Sequence, residues 1–217
     1  MTSEVEICNL ALSNIRAGSI NSLNESGIQA QACKLKYGLL RDRCLKEPWL
    51  FNRRIVALAL VDIEIFNWAH AYQYPTNCLK IRRLMGAHEE IAAGQTGVIS
   101  RAIDAQSLPV KNIRAQIPYE VFNFTDNKVI GTNDEHLRID YAAKVTDPNL
   151  FSEDFILALS YLLAAEVAVP IVGAKMGREL RSDSLTLYKQ YLAAATAGDL
   201  NDQYLEPPES DFVTVRR

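Results

Sequence analysis

The sequence predicts an α+β protein with more helix than strand: a helical bundle, a small antiparallel β-sheet domain and an extended C-terminal tail. Three observations carry that expectation. Apolar residues repeat at helical spacing near both ends of the chain, around Cys8–Ile15, Cys33–Cys44 and from Phe155 to Leu192. In between the period shortens towards two, in stretches 78–84, 119–131 and 136–142. Of 217 residues, 48% are hydrophobic and 23% charged, values that exclude disordered, collagenous and disulfide-scaffold classes. A chain of this length holds one sizeable domain or two small ones. The expected division is N-terminal bundle helices in 1–72, a β-rich domain in 73–146 with a loop insertion at 86–118, C-terminal bundle helices in 147–198, and a tail in 199–217.

The first helix opens on a capping box, Ser3 with Glu6, in which each side chain satisfies a free backbone N–H. Cys8, Ala11, Leu12 and Ile15 follow on one face, and Gly18 is the expected stop. A polar connection, Ser19 to Ser26, leads to a second helix with Cys33, Tyr37, Leu40 and Cys44 on one face, ended by Pro48. From Leu50 to Ala71 the apolar run Ile55–Val61 has no clean period, so helix and strand both remain open. Tyr74-Pro75 breaks the chain, and Cys78–Leu84 alternates as a strand does. Glycines and prolines punctuate 86–118 (Gly86, Gly94, Gly97, Pro109, Pro118), which predicts a mobile, loop-rich insertion.

Tyr119–Phe124 and Lys128–Gly131 are β-prone runs joined by the turn formers Thr125-Asp126-Asn127, which reads as a hairpin. His136–Ala142 supplies a third strand, and the three are expected to share one antiparallel sheet. After Asp147-Pro148, Ser152 caps a long helix to about Val169. It is apolar on nearly every side, which places it at the centre of a bundle or at a subunit contact. A last helix runs from about Lys175 to Ala197, with Leu180, Ser184, Leu187, Tyr188, Tyr191 and Leu192 inward and Gly198 as its cap. Asp199–Arg217, acidic and carrying Pro207-Pro208, is expected to be extended.

Charge and cysteine usage exclude several function classes. Lys plus Arg total 23 against 26 for Asp plus Glu, a net charge of −3, whereas proteins dedicated to nucleic acid carry a cationic surplus. Cys8, Cys33, Cys44 and Cys78 form no CxxC pair, which argues against zinc. The N-terminus lacks a signal peptide's basic and apolar regions, so the chain is expected in a reducing cytoplasm with all four thiols free and in the core. Asn24 and Asn123 head glycosylation triplets that carry no meaning without secretion. The stretch Phe155–Val172 approaches membrane length, but Ser160, Tyr161, Glu166 and Pro170 interrupt it, so a buried helix and no membrane are expected.

No catalytic, metal or cofactor constellation stands out. His70, His88 and His136 share no ligand spacing; His136 beside Asp134, Glu135 and Asp140 reads as a solvated strand end. Gly173-Ala174-Lys175-Met176-Gly177 lacks the Gly-Lys-Ser/Thr ending of a phosphate loop. The first two helices are separated by about eight residues, too many for a helix-turn-helix. Arg41, Arg43, Lys46, Arg53 and Arg54 cluster around Pro48-Trp49, and Lys80, Arg82 and Arg83 form a second basic group; both read first as solvated faces with intersubunit ion pairs, and second as contacts with passing DNA or an acidic partner. Trp49, Phe51, Phe66, Trp68, Tyr72 and Tyr74 crowd together, as core packing or a protein–protein contact requires.

Several strings taken in order resemble the tail tubular protein A family, the head-to-tail adaptors of short-tailed bacteriophages. The series covers nearly the whole chain: Ile7–Leu12 with Ile15; Pro48–Phe51 with Arg54 and Leu58-Ala59; Trp68, Tyr72, Tyr74-Pro75 and Cys78–Lys80. It continues through Tyr119–Val121, Val129–Asn133, Tyr141, Val145, Asp147-Pro148, Phe151, Phe155, Ala158-Leu159 and Leu163–Ile171. The end departs from the pattern, with Phe212 and Val215-Arg216-Arg217 where relatives often close on a Trp and an Ala-Arg pair.

The resemblance implies a helical bundle with a small β domain, assembled as a dodecameric ring between the portal and the tail nozzle around the DNA exit channel. It implies a virion location below the portal, after assembly in the host cytoplasm. The partners implied are the portal ring, a tubular-protein-B-like nozzle, further copies of the chain, a tail fibre and, transiently, genomic DNA. The acidic balance leaves such a ring without an electrostatic trap for DNA. Trp49, Arg53, Arg54, Pro207, Pro208, Phe212, Arg216 and Arg217 are the candidates for contact with the portal or a neighbouring subunit. Alternative readings are a cell-wall hydrolase using Glu89, Glu90, Asp140 or His136, by analogy with paired-carboxylate glycosidases, and a DNA-binding module.

Overall fold

The computed structural model describes residues 2–86, 117–124 and 127–201. Its elements are α1 (Glu4–Asn14), α2 (Ile28–Cys44), β1 (Arg53–Ala57), β2 (His70–Gln73), β3 (Cys78–Met85), β4 (Glu120–Phe124), β5 (Asn127–Thr132), β6 (Arg138–Ala143), a 3₁₀ turn (Pro148–Leu150), α3 (Glu153–Val172) and α4 (Ala174–Asn201). The class is α+β, mainly α, as predicted. Two compact units emerge, one from Met1–Val56, Tyr74–Arg83 and Ile139–Asp199, the other from Ala57–Gln73 and Leu84–Arg138. This interleaving differs from the sequential division expected: 57–72 leave the helices and 74–83 join them. Most of the 86–118 insertion, the turn residues 125–126 and nearly all of the tail fall outside the described residues.

In the helical unit α3 is the axle. It packs on α1 and on α2, which meet each other sparingly, and it buries Phe155, Leu159, Leu162, Leu163, Ala164 and Val167 among others. By length and a mean hydropathy of 2.2 it would also suffice to cross a membrane, yet 56% of that stretch is buried inside the protein. Glu166, its one mid-helix charge, lies between Lys36 of α2 at 3.5 Å and Arg181 of α4 at 3.0 Å. Pro170 cannot donate to the carbonyl four residues back. That carbonyl, Glu166 O, instead accepts a 2.6 Å bond from Lys36 Nζ.

The capping box on α1 is present, Glu6 N donating to Ser3 Oγ at 3.1 Å and Ser3 N to Glu6 Oε2 at 2.8 Å. The reversal after α1 falls on Arg16, at φ 59°, rather than on the expected Gly18. Asn9 then holds the returning chain through both polar atoms, bonding Ile20 N at 2.8 Å and Ile20 O at 2.9 Å. α2 buries Cys33, Tyr37, Leu40 and Cys44 as predicted and ends before Pro48. α4 runs through Gly198 instead of stopping there. It turns Leu187 outward, at 36% exposure, and packs Leu185 on the core in its place, correcting the expected inner face. Gly177 lets α4 start close against α3, since a Cβ there would lie 2.8 Å from Val169 Cα.

A three-stranded sheet of order β1-β6-β3 completes this unit. The third strand predicted for the hairpin sheet is therefore the centre of another sheet. β6 is buried at five of its six positions, Asp140 included, so its polar and apolar residues do not mark opposite wet and dry faces. The ambiguous stretch 50–71 becomes a short strand, β1, then irregular chain up to the start of β2 at His70.

The second unit is a sheet of order β2-β5-β4, with Tyr72 opposite Ile130 and Phe122 opposite Val129. The predicted β4–β5 hairpin is its frame. Ile65, Ala71 and Val129 form the small core, with Ile63, Trp68 and Phe122 against it. The Trp68 ring passes so near Gly131 that a Cβ would lie 2.9 Å away.

Candidate functional site

The connection from α2 to β1 carries three of the residues expected to touch partners, and its structure separates them. Trp49 faces inward at 2% exposure. Its Nε1 donates to Cys44 O at 2.7 Å, and its ring meets Phe155 edge-on at 5.3 Å and Phe51 at 6.3 Å. Phe51, Phe151 and Phe155 extend the aromatic cluster. Trp49 is thus a core residue, which corrects its expected place at a partner surface: the aromatic crowding around it is packing.

Arg53 is likewise turned to its own chain. Its Nε and Nη2 bond the Asp140 carboxylate at 3.1, 3.1 and 2.7 Å, with Asp140 only 7% exposed. The pairing turns the Asp140 carboxylate towards its own chain and away from solvent, in place of the expected solvated strand end. Beside it, fully buried Asn52 donates to Leu45 O at 2.6 Å and accepts from Arg82 Nη2 at 3.0 Å, and Arg82 also donates to Trp49 O at 2.8 Å. Part of the second basic group is therefore internal scaffolding. Arg54 alone of the three is exposed, its Nη1 bonding the carbonyls of Phe51 and Arg53.

Pro207, Pro208, Phe212, Arg216 and Arg217 lie outside the described residues, as do Glu89 and Glu90. His136 is exposed at φ 57° in the turn before β6. Among the described residues no group of three or more His, Cys, Asp or Glu side chains is placed to hold a metal. An open cleft of about 400 Å³ in the second unit is lined by residues from Leu60 to Ala71, including Asp62, Glu64 and His70.

The thiols are packed rather than presented. Cys8, Cys33 and Cys44 are buried, while Cys78 is only partly covered, contrary to the expectation that all four are core. Cys8 donates to Cys33; that bond raises Cys8 and lowers Cys33, whose own burial opposes the lowering. Burial pushes Cys44 up to about 12, against which Tyr188 donates a hydrogen bond.

What sequence reasoning missed is on the outer side of α2. Ile28, Leu35 and Leu39 are 54%, 79% and 74% exposed, on the side opposite Cys33, Tyr37 and Cys44. The signal was legible as spacing: i+7 and i+11 each return to within about 20° of i on a helix, one on either side. No protein-family model matches the chain, and no curated protein is significantly similar to it.

Proposed function

We propose that this protein is a structural head-to-tail adaptor of a bacteriophage virion, forming a dodecameric ring between portal and tail nozzle around the DNA exit channel. The observation that carries the reading is the ordered series of strings from Ile7 to Ile171 that resembles the tail tubular protein A family. Two features of the helical unit support it. The described side chains form a packed scaffold in which Trp49, Arg53 and Asp140 are engaged internally. Apolar surface is left over where a neighbour can cover it, on α2 and on the turn before α3, where Leu150 is 60% exposed. Arg54 and the tail residues Pro207, Pro208, Phe212, Arg216 and Arg217 remain the proposed contacts with the portal or the next ring.

Mixing the purified chain with a portal ring and imaging the product tests the proposal. Twelve copies seated on the portal are expected; a chain that stays monomeric and never joins the portal overturns it. Because α4 extends to Asn201, the tail is tested by removing 202–217, which is expected to leave the fold intact and weaken docking on the neighbouring ring. Unchanged assembly by the shortened chain would refute the tail's role.

A further inference from the structure

β1 lies at one edge of the sheet β1-β6-β3, and four of its five residues are exposed. Ile55 and Val56 point to opposite faces, yet both stand in water, at 36% and 39%. The edge itself is bare over a short stretch. At the two ends of the ladder with β6, Ala143 N donates to Asn52 O and Leu58 N to Leu137 O, each at 2.8 Å. Backbone groups alternate sides along a strand, so Arg54 and Val56 also face β6, while Arg53, Ile55 and Ala57 face outward. Arg53 is satisfied locally, its N–H by Leu50 O at 3.1 Å and its O by Arg54 Nη1 at 2.9 Å. Past β1 the next outward carbonyl, Ala59 O, accepts from Gln73 N of β2. Among the described residues nothing covers the outward N–H and C=O groups of Ile55 and Ala57. An open, apolar edge of this kind is a template for one more strand.

The chain itself supplies that strand. α4 runs back along α3: Arg181 meets Glu166 at 3.0 Å and, further along, Tyr191 stacks on Tyr161 at 5.1 Å. Asn201, at the end of α4, therefore comes level with the approach to α3, where the Phe151 ring lies 6.1 Å from that of Phe51, two residues before β1. Residues 202–217 hold one run that favours strands, Phe212-Val213-Thr214-Val215, after a Pro207-Pro208 pair that cannot donate to a ladder. Its four residues match the bare length of the edge. Asp211 precedes the run and Arg216-Arg217 follow it. Laid parallel to β1, the run sets Asp211 beside exposed Arg54 and carries the two arginines away; antiparallel, it would set them against Arg53 and Arg54. Entry from the Phe51 end gives the same parallel sense.

We infer that Phe212–Val215 adds as a parallel strand to the outer edge of β1 in the same chain. Main-chain hydrogen bonds supply the contact, as in other cases of strand addition. Residues 202–211 span up to about 33 Å, ample for the return. The added strand closes the edge to other chains and brings Arg54, Phe212, Arg216 and Arg217 together on one surface. It does not depend on the adaptor role.

Amide hydrogen exchange resolved by residue tests it in the full chain. Val213→Pro and Thr214→Pro each remove one N–H from the run, and successive N–H groups point opposite ways, so at least one of the two removes a ladder donor. That variant is expected to speed exchange at Ile55 and Ala57 at least tenfold. Exchange at Ile139, on β6, is expected to stay unchanged and checks that the sheet is intact. Arg54→Glu is expected to speed exchange at the same two amides, and Arg54→Glu with Asp211→Lys to restore it; a loss without rescue overturns the parallel sense. Fast exchange at Ile55 and Ala57 in the wild-type chain overturns the inference. So does slow exchange that neither proline changes, which would mean that another segment covers the edge. Protection that grows with protein concentration would place the strand on a second copy and overturn it too. Portal binding by a chain whose edge amides are unprotected leaves the adaptor role standing.

Discussion

Replacing Arg53 by Met decides whether this residue holds its own fold or a partner. Three contacts of 2.7–3.1 Å join its guanidinium to Asp140, whose side chain is 7% exposed against 20% for Arg53. Met retains the apolar stem and removes the charge, leaving a carboxylate in a site that water reaches poorly. Breaking a buried pair from one side costs about 3–5 kcal/mol. The residual exposure of the pair lets solvent in and favours the lower end, about 3 kcal/mol. Asp140→Asn is milder, about 1–2 kcal/mol, because the amide is neutral and still accepts a hydrogen bond. The double variant should cost less than the sum of the two single changes, since no charge is left alone in it. Urea unfolding of the four proteins gives the coupling directly, against a total stability on the order of 5–15 kcal/mol. A loss below about 0.5 kcal/mol for Arg53→Met, the scatter of ordinary surface changes, together with weakened portal binding, would refute this placement and return Arg53 to the partner surface.

Gly177→Ala is expected to destabilise by about 1–3 kcal/mol, because overpacking against Val169 Cα at 2.8 Å and Ala168 O at 2.9 Å outweighs the ~1 kcal/mol that Ala gains in a helix; thermal melts read the sign. Ser3→Ala removes the cap on α1 and should cost about 1 kcal/mol, visible as a lower urea midpoint at unchanged slope. Cys44 folds as the neutral thiol, raised from 9.0 to about 12 chiefly by burial, so its contribution is complete below pH 9 and is lost as pH climbs towards 12. The slope of that loss is about 1.4 kcal/mol per pH unit for one proton, and urea midpoints taken across the window should fall less steeply for Cys44→Ala than for the wild type.

The parts of the fold that were legible are those in which one local rule decides. Ser3 with Glu6 announces the start of α1, and the Cys33–Cys44 spacing announces the inner face of α2. Turn formers between two β-prone runs announce the β4–β5 hairpin. The misreadings come where a distant partner decides. Alternation in 136–142 gave a strand correctly but could not say that it would lie between β1 and β3, which are far away in the chain. Asp140 looked like a surface acid because its counter-charge, Arg53, is 87 positions earlier. Asn52 gave no signal and Arg82 read only as part of a basic surface group, since their value lies in carbonyls that only the folded chain brings to them. At the candidate site, crowding of Trp and Arg near residue 50 fits both a core and an interface, and burial alone separates Trp49 from Arg54.

The apolar excess that first pointed to neighbouring subunits therefore sits elsewhere than expected. α3 is the most apolar segment of the chain, and its composition alone places it at a subunit contact as readily as at a bundle centre. Its own chain uses most of that surface: α1 and α2 pack on it, the rings of Tyr161 and Tyr191 stack at 5.1 Å between it and α4, and Lys36 and Arg181 neutralise Glu166. A segment satisfied to that degree has little left for a partner. α2 is the opposite case, since its many charges give it an unremarkable composition while two leucines on its outer side remain more than 70% exposed. Composition averages over a helix, whereas a contact depends on which side of it each residue takes. Apolar surface that no described residue covers is accordingly found on α2, whose composition gives no hint of it.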